Sequence, residues 1–248
     1  MDRLAAARSR GFEDRMTDPL NLKRSCPRHA AVLGDDQVRI ALADGMARAR
    51  RSGFTSERSI RYYVEMMFML GSGFEADRLF PWVGEIFAEG LNDQNLRIDR
   101  LYARAWAYLR QILPELHDLQ AERGARLVGE LDRIRREPDR ALAHATGLAG
   151  ADLQDRILRG LQAVLPRKLA TVGEVSARAA IERALDFAAR LGVGTERGAL
   201  VLVDIHFMMN GCFEGDMLLP WLSPILGARA PIDPLITAAV EHVQAFWR

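Results

Sequence analysis

One stretch of this chain is present twice, and that constrains the fold more than any other feature. Gly53–Trp82 reads GFTSERSIRYYVEMMFMLGSGFEADRLFPW, and Gly192–Trp221 reads GVGTERGALVLVDIHFMMNGCFEGDMLLPW. The two align without a gap, each residue of the second standing 139 positions after its counterpart. Identical pairs include Glu57/Glu196, Arg58/Arg197, Phe68/Phe207, Met69/Met208, Phe74/Phe213, Glu75/Glu214, Asp77/Asp216, Pro81/Pro220 and Trp82/Trp221. A string of that kind at one fixed offset is an internal duplication, and a duplicated string must adopt one local structure twice. The expected architecture is two tandem helical repeats of about 100 residues. They span 11–110 and 149–248, with a helical connector over 111–148. The copies are expected to pack about an approximate two-fold axis, as an intramolecular version of a symmetric dimer.

The local signals are helical throughout. Val38, Ala41, Leu42, Gly45 and Met46 recur at helical spacing after Asp35 or Asp36, following a break at Pro27; Ala177, Ile181, Leu185 and Ala188 repeat the stripe. Ser56 and Thr195 stand as N-caps, followed by Glu57 and Glu196 in the first turn. The helix they open is apolar on nearly every face in both copies, which marks it as buried. Gly71 and Asn210-Gly211 supply a left-handed residue at its end. Asp77 and Asp216 are expected to cap a short helix with Pro81 or Pro220 in its first turn. Closing helices are predicted over 96–113 and 233–247, and Leu116, Leu119, Leu127, Leu131 and Ile134 carry a helical stripe through the connector. Nothing alternates at period two for long enough to form a strand. The chain reads as all-α with about ten helices.

Composition excludes several classes. A net charge of +1 on 248 residues argues against nucleic acid or an anionic membrane as partner. Lys23 and Lys168 are the sole lysines, and the abundance of Arg and Ala reads as base-composition bias, not phosphate binding. Two cysteines, Cys26 and Cys212, make no disulfide framework. No apolar run has the length of a signal peptide or a bilayer span, so a cytoplasmic protein without membrane insertion is expected.

Catalytic signatures are absent. The five histidines keep no metal-ligand spacing, and there is no phosphate loop or nucleophile elbow, so neither cofactor nor metal is expected. The repeated Glu75/Asp77 and Glu214/Asp216 carboxylates resemble an acid/base or cation pair. Helix capping and pairing with Arg58 and Arg197 explain them better, a cross-copy pairing included. Trp82 and Trp221 are expected to be buried. Cys212, with no His partner, reads as a small buried residue. Tyr62, Met66, Met69, His206 and Met209 form a candidate partner groove on the central helices, since Met-rich apolar surfaces re-pack around partner segments.

Over residues 11–110 the chain resembles a bacterial all-helical family with no assigned chemistry, encoded near type VI secretion and polymorphic toxin genes. The likeness rests on Phe12-Glu13-Asp14-Arg15-Met16, on Cys26-Pro27-Arg28-His29 with Leu33-Gly34-Asp35, and on the Gly53–Trp82 string. It implies a non-catalytic protein-binding role, as a chaperone or adaptor for a secreted toxin or effector. The alternatives are an immunity protein, or an enzyme with a pocket between the repeats using His206, Asp204 or the Glu75/Glu214 loops.

Overall fold

The computed structural model describes residues 11–12, 14–16, 27–122, 124–138, 140, 148–209, 216–227 and 232–247, and regular structure among them is helical. Phe213, Glu214, both cysteines and Asn210-Gly211 lie outside the described residues. The helices are α1 (Pro27–Arg51), α2 (Glu57–Leu70), α3 (Pro81–Ala88), α4 (Gln94–Ala121), α5 (Ala125–Arg135) and α6 (Leu148–Val164). They continue with α7 (Pro166–Val172), α8 (Glu174–Arg190), α9 (Glu196–Met209), α10 (Leu222–Gly227) and α11 (Ile232–Trp247).

Proline opens both α1 and α7, where a missing N–H costs nothing. The helix therefore starts at Pro27, ahead of the expected Asp35, and bends at Gly34 (φ 74°, ψ 164°). Gly173, at φ 81° and ψ 153°, separates α7 from α8 in the same way. Only glycine adopts that region without strain. Past the bend, Val38, Ala41, Leu42, Met46 and Ala49 are buried, and α1 packs on α2. Gly45 makes the approach possible: a Cβ there would lie 3.0 Å from Met67 Sδ.

The helix boundaries around the repeated string coincide at the same offset. α1 and α8 end at Arg51 and Arg190, and α2 and α9 run from Glu57 to Leu70 and from Glu196 to Met209. Phe54 N–H bonds Ala49 O at 3.0 Å, and Val193 N–H bonds Ala188 O at 2.9 Å. Ser59 N–H donates to the Ser56 hydroxyl at 3.1 Å and Gly198 N–H to that of Thr195 at 3.2 Å. Asp77 and Asp216 each accept from the backbone two residues on, Leu79 N–H and Leu218 N–H, both at 2.9 Å.

Several expectations need correction. Asp77 closes the turn before α3 and does not cap it, because Phe80 is the capping residue and carries no acceptor. Pro220 stands in a turn, α10 beginning only at Leu222. Gly71 ends α2 at φ 98° and ψ 153°, outside the left-handed helical region; the left-handed residue is Gly73 at φ 83°. The closing helix of the first copy does not stop at 113. α4 runs through Pro114 to Ala121, because its buried stripe of Ile98, Leu101, Ala105, Ile112 and Leu119 continues past the proline. The 110/111 boundary thus falls inside one helix.

A single hydrophobic core runs from Phe12 to Trp247. Segments distant in sequence close it: α4 packs on α7, and α11 packs on α1 and α5. α9 is wrapped by α5, α6, α8 and α11, which buries its residues from Gly198 to Phe207 on every face.

Candidate functional site

Where α4 meets α7 and α11 meets α1, the core is incomplete. A cavity of about 510 Å³ remains, lined from the ends of α2 and α9 by Phe68, Met69, Met208 and Met209. Leu109, Ile112 and Leu116 of α4 and Val243, Phe246 and Trp247 of α11 supply much of the rest. The wall is mainly apolar, and the polar groups set into it are Arg28, His29, Glu115, Lys168 and His242. Volume and character both match sites that take small ligands.

Lys168 is buried at the start of α7, and its ammonium donates to Phe207 O. Burial lowers it to about 8 although Asp77 and Glu115 oppose the shift, so it remains mostly charged at neutral pH. Glu115, equally buried, accepts Arg167 N–H at 2.8 Å and Lys168 N–H at 3.0 Å, so α4 satisfies the first turn of α7.

At the start of α1, His29 packs edge-on against Phe68 and Phe246, with centroids 5.5 and 4.9 Å away. Burial, then His242 and Arg28, push the His29 imidazole down to about 4; burial does the same to His242. Both rings are therefore neutral at pH 7. Trp221 Nε1 donates to His242 Nδ1 at 3.1 Å, which places the His242 proton on Nε2. Arg28 lies over the Trp247 ring, 5.2 Å from its centroid.

Behind the cavity lies a buried polar seam. His206 Nε2 of α9 stands 3.3 Å from Asp77 Oδ1, and the Ser72 hydroxyl donates to Asp216 Oδ1 at 2.5 Å. Burial alone would raise the Asp77 carboxyl; His206, the Leu79 N–H and Lys168 more than offset it and hold it below the usual range. Tyr108 adds a buried hydroxyl without a hydrogen-bond partner, its proton held by burial and by the Asp77 and Glu115 charges. Each aspartate that closes a turn in one copy thus reaches a residue of the other.

The candidate groove residues separate. Met69 and Met209 line the cavity, but Tyr62, Met66 and His206 do not. Met66 is wholly buried, and Tyr62 stacks on Tyr102 at 4.5 Å on the outer face. The carboxylate–arginine pairing is likewise redrawn. Glu75 is held by Arg48 at 3.2 Å, Arg58 reaches Asp99 at 2.5 Å, and Arg197 donates to Arg135 O at 3.2 Å. Reaches within the first copy thus displace the expected partners of Glu75 and Arg58, while the expected Glu214 partner of Arg197 lies outside the described residues. Glu57 and Glu196 pair outward with Arg15 at 3.1 Å and Arg156 at 2.6 Å. Phe74 is buried beside Tyr63, and Trp82 is 8% exposed, whereas Trp221 is half-buried.

Glu115, Lys168, His29 and His242 were missed as site residues. Glu115 and Lys168 carried a legible signal, charged side chains at positions where the helical stripe runs apolar, but neither His29 nor His242 did. Among the described residues, no cluster of three or more His, Cys, Asp or Glu could hold a metal ion, and no helix is long and apolar enough to cross a membrane. Set against known protein families, curated proteins and solved structures, the chain matches none.

Proposed function

We propose that this protein is a non-catalytic binding protein made of two duplicated helical repeats about an approximate two-fold axis, which holds an apolar segment of a protein client between them. The cavity carries the reading: about 510 Å³, mainly apolar, and lined by the Met69 and Met208 ends of both central helices. Support for the duplication comes from matching boundaries, caps and turns at one offset, and from α4 on α7 mirroring α11 on α1. Methionines adapt to varied apolar shapes, which suits a client-holding surface. His206 and Asp204 are not among the residues lining the cavity, which favours binding over the enzyme reading. The client expected from the family resemblance is a secreted toxin or effector, with this protein as its chaperone or adaptor.

The test fills the cavity from a half-buried position. Tagged wild-type protein and Leu116→Trp are expressed in the native host, and recovered partners are compared by mass spectrometry. A partner retained by the wild type and lost from a folded Leu116→Trp supports the reading. The same partners in both, or none in either, would remove it.

A further inference from the structure

We propose that the cavity takes the free C-terminus of a polypeptide, with its last apolar side chains against Met69 and Met208 and its terminal carboxylate against Arg28. This rests on the binding reading and names the part of the client that is bound.

Size comes first. A helix with its side chains is about 10–12 Å across and rises 5.4 Å per turn, so two turns of it exceed 510 Å³. The cavity therefore suits the end of a chain, a few residues in extended form.

Charge then sets the chemistry. Glu115 is satisfied by two backbone N–H groups and lies beside Lys168, whose ammonium already meets Phe207 O. The two histidines are neutral at pH 7. Arg28 remains: no carboxylate among the described residues pairs with it, and its guanidinium rests on the Trp247 ring. A guanidinium at the wall of an apolar cavity is complementary to a carboxylate, which it can grip with two parallel N–H bonds. The same helix start already meets a carboxylate once in this chain, through its backbone: Arg167 and Lys168 stand 139 positions after Arg28 and His29, and their backbone N–H groups bind Glu115.

A fatty acid would also bring a carboxylate on an apolar body. The wall favours a peptide, because its polar groups come from four helices: His29 from α1, His242 from α11, Glu115 from α4 and Lys168 from α7. A peptide amide can accept from the His242 Nε2–H, whereas an aliphatic tail would cover that donor without a partner.

The experiment uses the full chain and fluorescein-labelled hexapeptide pools whose last three positions are drawn from Leu, Met, Phe and Val. One pool is a free acid and the other its C-terminal amide, and binding is read by anisotropy. The acid pool is expected to bind at least about tenfold tighter than the amide pool. Arg28→Ala should erase that difference by weakening the acid alone, and Arg28→Lys should restore part of it. Decanoate should displace the acid pool poorly. Equal binding of acid and amide, or a difference that survives Arg28→Ala in a protein with unchanged melting, overturns the proposal. Displacement by decanoate more strongly than by the unlabelled acid pool overturns it in favour of a fatty acid. Should acid and amide bind equally and Leu116→Trp abolish both, the C-terminal assignment fails and the binding reading stands. Should neither pool bind the wild type, the C-terminal assignment falls, and the co-purification comparison decides the binding reading separately.

Discussion

At position 65 of α2 a glutamate accepts from Arg61 Nε at 3.0 Å and from the Tyr102 hydroxyl at 3.1 Å, its side chain a quarter exposed. At the equivalent position of α9, Asp204 is 3% exposed and its Oδ2 has no hydrogen-bond partner. Same slot, opposite fates. The difference lies in what covers each helix. The outer face of α2 meets the Tyr102 side of α4 and stays open along Arg61 and Tyr62, whereas α5 closes over α9 and brings Glu130 and Arg133 with it. The recurring string forms a helix with the same bounds at both places; burial of each face is decided by what the rest of the chain lays on it. Burial, then the Glu130 charge, push the Asp204 carboxyl well above its ordinary range, which favours its protonated form where Glu65 forms an ion pair.

The largest expected asymmetry lies at the tryptophans. Trp82 is buried beside Phe80, while Trp221 is half-buried and spends its indole N–H on His242. Trp82→Ala should cost about 3–5 kcal/mol and Trp221→Ala clearly less. Urea melts of the two variants check the order, and equal losses would mean that the two copies are packed alike after all.

Next comes the seam. Position 67 is a wholly buried methionine in α2, and its counterpart His206 faces Asp77. His206→Met makes the two copies identical there and removes the imidazole beside a buried carboxylate. About 2–4 kcal/mol should be lost, since an uncompensated buried charge is the larger penalty. A melt within experimental error of the wild type would show that the Leu79 N–H and Lys168 suffice for Asp77.

The third effect is pH-dependent. Asp204 ionises from 3.8 upward in the unfolded chain, and burial in the folded state raises that value. Stability from this group is therefore complete below about pH 4 and is lost as pH rises toward the folded value. His29 and His242 act oppositely: both are lowered to about 4 from 6.5, so their contribution is present above 6.5 and lost as pH falls through 4. Asp204→Asn should flatten the loss between pH 5 and pH 8 by roughly 1–3 kcal/mol and leave the acid limb unchanged. Parallel stability curves for wild type and variant over that range would mean that Asp204 is ionised in the folded protein.

These contrasts also mark where the sequence was readable. Ser56 and Thr195 act through bonds a few residues long, so the helix starts at them were legible, whereas Pro27 opens a helix that the sequence reading began only at Asp35 or Asp36. Pro114 was misleading, because one lost hydrogen bond is outweighed by the apolar stripe that continues to Leu119. Asp77 meeting His206, and Arg28 meeting Trp247, depend on how the two copies sit against each other, which no local pattern encodes. Arg58 found Asp99 on the neighbouring α4, a carboxylate that spacing within the repeat does not single out.

The smallest effect returns to position 65. Glu65→Gln keeps the shape, the Tyr102 hydroxyl can still donate to the amide oxygen, and only the charge opposite Arg61 is lost. Arg61 is 62% exposed at its side chain, so water and salt already screen the pair. Such i,i+4 pairs contribute about 0.3–0.5 kcal/mol, and Glu65→Gln should cost no more than about 1 kcal/mol. The loss should shrink further in 1 M salt, where the screening length falls to about 3 Å. Asp204→Asn, with no exposed partner to screen, should show no comparable salt response. A Glu65→Gln loss above about 2 kcal/mol, insensitive to salt, would place position 65 in an enclosed environment like that of 204 and erase the contrast between the copies.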